Sequence, residues 1–200
     1  GFTGTLLMKL PGPLTQEQEK QLSTIQTSGR HLLSLINDLL DLARIESGKV
    51  ELTLRAVSCR DVVAEVAATL EPLAAKKGLA FEVRLPAEDI IVQSDQRTLS
   101  QIVINLASNA IKYTERGRVL MTLERPELRG RRQTVIRVED TGCGIRPEDQ
   151  ARLFQAFEQL DSASTRKYEG TGLGLHVSQR LATLLGGRIQ FHSVFGEGST

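Results

Sequence analysis

The sequence predicts an α/β sandwich, a mixed sheet of five or six strands with three main helices on one face, preceded by a helical hairpin from a dimeric four-helix bundle. Three observations carry that prediction. An apolar heptad seam runs through residues 15–47. Beyond Gly48 it gives way to short alternating runs of strand length. Those runs are interleaved with three longer segments of helical period.

The elements follow in chain order. Residues 1–10 read as the tail of a helix, broken by Pro11, Gly12 and Pro13. Thr15 to Ser47 reads as one long helix, because Leu22, Ile25, Gly29, Leu32, Ile36, Leu39 and Ala43 recur at alternating three- and four-residue steps. Leu33, Leu35, Leu40 and Leu42 widen its apolar face beyond a single seam, which suits a helix inside a bundle. Residues 50–55, VELTLR, alternate as a strand. Ser58 and Asp61 have the spacing of a capping box, opening a helix that Gly78 closes. Residues 79–85 and 90–94 read as strands, and 95–114 as a helix. Two further strands, 118–124 and 133–139, flank the charged loop 125–132. Residues 147–158 read as a short helix, 159–170 as a polar mobile loop, Gly170 onward as the last long helix and 188–193 as a strand. The chain thus divides into a partial helical hairpin, 1–47, and an α/β domain, 48–200.

Composition narrows the function. The chain is 40% hydrophobic and 24% charged, enough for a real core. A net charge of +1 gives no global electrostatic case for nucleic acid. No apolar run approaches the roughly 18 residues of a membrane helix, and no signal peptide is visible. The expectation is a cytoplasmic chain whose membrane attachment, if any, lies in segments not present here. Cys59 and Cys143 lack metal-ligand spacing and read as reduced thiols.

Three stretches carry chemistry. In the helix 95–114, Leu99, Ile102, Val103, Leu106 and Ala110 form the apolar face, and Asn105, Asn109 and Lys112 form a polar stripe beside it. An amide oxygen suits magnesium and a lysine suits phosphate; the competing reading is a polar helix edge that caps loops. In VEDTGCGI, residues 138–145, Asp140 ends an apolar strand before two glycines, Gly142 and Gly144. A carboxylate there can accept a bond from an exocyclic amine such as adenine's, or simply form a turn. Finally, Gly170, Gly172 and Gly174 precede a helix whose first amides are unpaired, a cradle for phosphate or a tight packing joint. No Walker lysine and no G-x-G-x-x-G accompanies them.

Together these motifs resemble the ATP-binding domain of histidine kinases in the GHKL superfamily. NLASNAIKYT (105–114) resembles its asparagine box, DTGCGI (140–145) its first glycine box, LFQAFEQ (153–159) its phenylalanine box and GTGLGL (170–175) its second glycine box. HLLSLINDLLDLARIESGKVEL (31–52) resembles the second helix of the dimerisation and phosphotransfer hairpin. The resemblance implies a Bergerat-type fold and cofactors ATP and Mg2+. It implies that Asn109 ligates the metal with Asn105 nearby, that Lys112 contacts phosphate and that Tyr113 borders the nucleotide. Asp140 would receive the adenine amine, Gly142 and Gly144 would shape that wall, and residues 158–170 would form a lid. Gly170, Thr171, Gly172, Leu173 and Gly174 would line the phosphates. The implied partners are a second copy of the chain and a response-regulator receiver domain.

The resemblance also sets expectations about what lies elsewhere. The family's His-Glu/Asp-x-x-x-Pro acceptor motif is expected before Gly1, because GFTGTLL resembles the stretch that follows it. His31 is followed by Leu32 and Leu33 and has no adjacent acid; His176 and His192 read as packing or surface residues. The GEGST stretch (196–200) resembles the motif that precedes the family's final strand, so that strand is expected to be missing and a sheet edge exposed. Three functions compete: a histidine autokinase core, a GHKL ATPase of the heat-shock chaperone, gyrase B or MutL kind, and a non-catalytic nucleotide-binding dimerisation module. In the ATPase relatives the position of Asn105 carries a glutamate that activates water, and an amide cannot serve as that base.

Overall fold

The computed structural model describes residues 1–128, 130–158 and 171–200. It opens with a helical hairpin, α1 (Phe2–Leu7) and α2 (Gln16–Glu46). Thr15 starts α2 with a full capping box: its hydroxyl accepts from the Gln18 amide, and the Gln18 side chain accepts from the Thr15 amide. A strand β1 (Arg55–Ser58), a helix α3 (Cys59–Lys77) and strands β2 (Ala80–Arg84) and β3 (Ile91–Ser94) come next. They are followed by α4 (Gln96–Tyr113), β4 (Arg118–Glu124), β5 (Glu127–Leu128), β6 (Arg131–Arg132) and β7 (Val135–Asp140). The chain finishes with α5 (Pro147–Gln150), α6 (Gly174–Leu184), β8 (Ser193–Val194) and β9 (Gly198–Ser199).

The main sheet is mixed, in the order β2-β4-β7-β9-β8. Strands β2 and β4 are parallel, and the other pairings are antiparallel. Val63, Val66, Leu70 and Ala74 of α3 and Val103, Ala107 and Ile111 of α4 bury against Val119 and Met121 of β4. Helix α6 packs on α4 and on the C-terminal half of α2, through a second core of Leu42, Ile102, Leu173, Val177 and Leu181.

Several sequence expectations move by a few residues, each for a local reason. The strand expected over 50–55 begins only at Arg55, where it pairs with Ser94; the Thr53 amide instead donates to the Asp95 carboxylate, which also caps α4. The loop 125–132 contains the short β5–β6 hairpin. The helix expected over 147–158 closes after Gln150. The strand expected over 188–193 is the pair Ser193–Val194, because its ladder partner is the short segment at residues 198–200. Strand β9 sits between β7 and β8, with Ser199 opposite Asp140. Leu42, grouped from sequence with the bundle face of α2, lies on the other side of the helix and is buried against α4 and α6. On α4, Leu99 and Leu106 are only partly buried, and Ala107 and Ile111 take the deepest positions.

Candidate functional site

Helix α4 supplies one wall of the site. Asp95 caps its N-terminus through the Thr98 amide at 2.8 Å, and that bond holds the Asp95 carboxyl below the usual carboxylate range. Asn105, Asn109 and Lys112 are half-buried on one face of the helix, as their spacing requires. Burial pushes the Lys112 ammonium below the usual lysine range, and it lies 4.9 Å from the centroid of the Tyr113 ring. Burial raises the Tyr113 hydroxyl in turn.

Strand β7 delivers the opposing wall. Asp140 is its last residue, and burial raises its carboxyl above the usual range. The backbone amides of Gly142 and Ser199 donate to that carboxyl and oppose the rise. Gly142 follows against the end of α4: a Cβ there would stand 2.5 Å from the Tyr113 carbonyl oxygen, so only glycine fits. One residue on, the Cys143 amide donates to that carbonyl at 3.3 Å. The two walls are therefore joined through Tyr113.

The glycine-rich segment closes the third side. Its helix starts at Gly174 and not at Gly170, a correction with a clear cause. Gly172 has φ 69°, in the left-handed region, which no α-helix continues through. Thr171 meanwhile accepts the Leu173 amide on its hydroxyl at 3.1 Å and donates that hydroxyl to Asp38 of α2 at 2.8 Å. Gly174 abuts α4 so closely that a Cβ would lie 2.6 Å from Asn105 Oδ1. The expected lid, 158–170, falls outside the described residues except for Glu158, and Gly170 falls outside with it. From the phenylalanine box, the Phe157 amide donates to the Gly172 carbonyl at 3.1 Å, and His176 Nδ1 meets the Phe154 carbonyl at 2.9 Å. His176 is thus a packing contact between α6 and that box.

Four contributors were not singled out from sequence. Ser178 accepts from Asn105 Nδ2 at 2.8 Å. Asp38 holds Thr171, and Asp41 accepts from Gln101 at 2.8 Å, tying α2 to α4. Lys77 Nζ donates to the carbonyls of Ile111, Lys112 and Thr114 at 2.8, 2.7 and 3.1 Å. The three-residue step from Asp38 to Asp41, on a helix otherwise read for leucines, is the only one of these that spacing displays. A cavity of about 250 Å³ is lined by Asp140 itself together with Arg118, Glu139, His192 and Glu197 among others, and includes no residue of α4 or α6.

A mixed sheet carrying α3 and α4, with a glycine-rich entry to α6 stacked on α4, defines a GHKL-type ATP-binding domain. The family model for histidine kinase-, DNA gyrase B- and HSP90-like ATPases matches residues 94–200, and the model for the His Kinase A (phospho-acceptor) domain matches residues 1–48. The chain belongs to the histidine kinase family, as a dimerisation and phosphotransfer domain followed by an ATP-binding domain. It is 42% identical over 203 residues to the circadian input-output histidine kinase CikA of Synechococcus elongatus, covering 100% of this chain and 26% of that protein. It is 38% identical over 203 residues to the signal transduction histidine-protein kinase BarA of Escherichia coli K12, covering 100% of this chain and 22% of that protein. The crystal structure of full-length ShkA in complex with AMPPNP superposes with a TM-score of 0.76 at 35% identity, covering 98% of this chain and 41% of that one. The chain therefore spans about a quarter of the length of its curated relatives. Among the described residues no helix is long and apolar enough to cross a membrane.

Proposed function

We propose that the chain binds Mg·ATP between α4, the end of β7 and the entry to α6, and passes the γ-phosphate to a histidine ahead of Gly1 and then to an aspartate of a response regulator. The donors fit such a ligand: a half-buried amide at Asn109, a half-buried ammonium at Lys112 and a carboxylate at Asp140 with two backbone amides behind it. Asn109 would ligate the magnesium, which supplies charge neutralisation on the phosphates when bound. Lys112 adds a second positive charge on the same side. Asp140 accepts from the adenine amine, and Thr171 to Gly174 present backbone to the phosphates without side chains in the way.

The observation that carries the autokinase reading over the ATPase reading is the state of Asn105. Its Nδ2 is spent on Ser178, and its Oδ1 is crowded by Gly174 and faces Asn109. It has neither the chemistry nor the room to deprotonate a water. A nucleophile must then come from outside the ATP-binding domain. His31 is the specific alternative acceptor, because it falls within the matched phospho-acceptor region on α2, although its neighbours Arg30 and Leu32 supply no acid.

Incubation with γ-labelled ATP tests both readings. The 200-residue chain should neither label itself nor release phosphate quickly. A chain extended to include the acceptor motif should label, with the acid-labile, base-stable character of phosphohistidine. Labelling of the 200-residue chain that is lost in His31→Gln would move the acceptor to His31. Fast phosphate release without labelling would favour an ATPase.

A further inference from the structure

The proposed reading gives Asn109 to the metal but leaves Asn105 with no task beyond being nearby. Its surroundings supply one. Asn105 Nδ2 donates to Ser178 Oγ at 2.8 Å, and Ser178 is buried on α6. The backbone at Gly174, one turn earlier on α6, lies flat against the same amide, where a Cβ would come within 2.6 Å of Oδ1 and 3.2 Å of Nδ2. These contacts hold the plane of the Asn105 amide, with Nδ2 on the Ser178 side and Oδ1 on the Asn109 side. That oxygen faces α4's next turn, where it accepts from Asn109 Nδ2 at 3.5 Å.

An asparagine has one end that can bind a hard cation and one that repels it. Only the oxygen ligates magnesium; the NH2 group is a donor. A solvent-exposed amide interconverts the two ends by rotation, and half of those states present the wrong atom. With Nδ2 of Asn109 engaged by Asn105, Oδ1 of Asn109 is the end turned away from it.

We infer that Ser178, Asn105 and Asn109 form an orienting relay in which a buried hydroxyl on α6 sets the amide of Asn105, and Asn105 sets the amide of Asn109 with its oxygen toward the metal. Asn105 and Ser178 are positioning residues, and neither touches the nucleotide in this scheme. The relay also couples the two elements that border the phosphates, because Gly174 belongs to the glycine segment and Asn109 to the metal wall. It rests on the assignment of Asn109 as the metal ligand, and it uses both ends of the Asn105 amide: the NH2 donates to Ser178 and the oxygen accepts from Asn109.

The test is calorimetric titration of the 200-residue chain with AMPPNP, without metal and then over a series of Mg2+ concentrations. Ser178→Ala should leave metal-free binding unchanged and raise the Mg2+ concentration at half-effect by roughly tenfold, the low end for outer residues that orient a metal ligand. Asn105→Leu, read in the same titration, should do the same and guards against a serine variant that fails to fold. Asn109→Ala should lose the metal effect altogether. Loss in Asn109→Ala with a wild-type Mg2+ requirement in both Ser178→Ala and Asn105→Leu would overturn the relay and leave the metal assignment standing. Equal weakening of metal-free and metal-bound nucleotide would also overturn it, as the mark of a packing role alone. A full metal effect retained by Asn109→Ala would overturn the assignment beneath it.

Discussion

At the scale of single residues, Asp140 sets binding against stability. Burial raises its carboxyl above the usual value of 3.8, against the pull of the Gly142 and Ser199 amides. A raised folded-state value means that the folded chain holds the proton more tightly than the unfolded one. Ionised Asp140 therefore costs stability above its folded pKa, and the cost disappears as pH falls below the unfolded value. Asp140→Asn should raise the thermal midpoint of the nucleotide-free chain at pH 7, and the gain should shrink toward zero as pH approaches 3.8. The same change should weaken ATP binding about 10- to 100-fold, the scale of one hydrogen bond to a charged acceptor. Calorimetry and melting curves on one preparation read both effects, and tight binding by the variant would remove Asp140 from the site. The polar stripe and the Asp140 turn were legible in the sequence because helical and strand periods fix them locally. Ser178 was not: it meets Asn105 across 73 positions of sequence, and nothing in the spacing of either helix announces that contact.

At the scale of elements, the end of α4 is capped from outside the helix. The last carbonyls of α4 have no partners within the helix and carry the negative end of its dipole. Lys77, in the last turn of α3, gathers those of Ile111, Lys112 and Thr114. The Tyr113 carbonyl is left to the Cys143 amide, so the clamp sorts which carbonyl faces the β7 wall. Lys77→Met should lower the unfolding free energy by about 2 kcal/mol, the value of hydrogen bonds to a charged donor. An unchanged urea midpoint would mean that water replaces the ammonium at no cost. Helices α3 and α4 were readable because Ser58, Gly78 and the periodic apolar residues mark their ends and faces. The strands at 50–55 and 188–193 were displaced because alternation reports which face a residue takes, whereas pairing depends on a partner. Thr53 is claimed by Asp95, and the partner of Ser193 is two residues long. The start of α6 was misjudged because the left-handed backbone at Gly172 is invisible in a run of glycines.

At the scale of the whole molecule, α2 has two apolar faces with different occupants. Asp38, Asp41, Leu42 and Ile45 lie on one side, and that side docks on α4 and α6: Leu42 is 7% exposed, and the two aspartates bond Thr171 and Gln101. On the opposite side Ile25, Leu32, Leu33, Ile36, Leu39 and Leu40 are 46–59% exposed. A contiguous exposed apolar stripe of that length marks an interface, and a second copy of the hairpin offers the same stripe in return. The two faces are separable by substitution because helical geometry puts them on opposite sides. Charging Leu32 and Leu39 with glutamate should yield monomers in light scattering while the radius of gyration of each protomer stays compact. Leu42→Asp should do the reverse: the aspartate would have to bury an unpaired charge among Ile102, Leu173, Val177 and Leu181, so α2 should leave the ATP-binding domain while the dimer persists. Small-angle scattering reads the detachment as an expanded particle, and light scattering reads the mass. A wild-type chain that stays monomeric at high concentration, or a Leu42→Asp chain that loses its partner, would show that the exposed stripe does not hold two copies together.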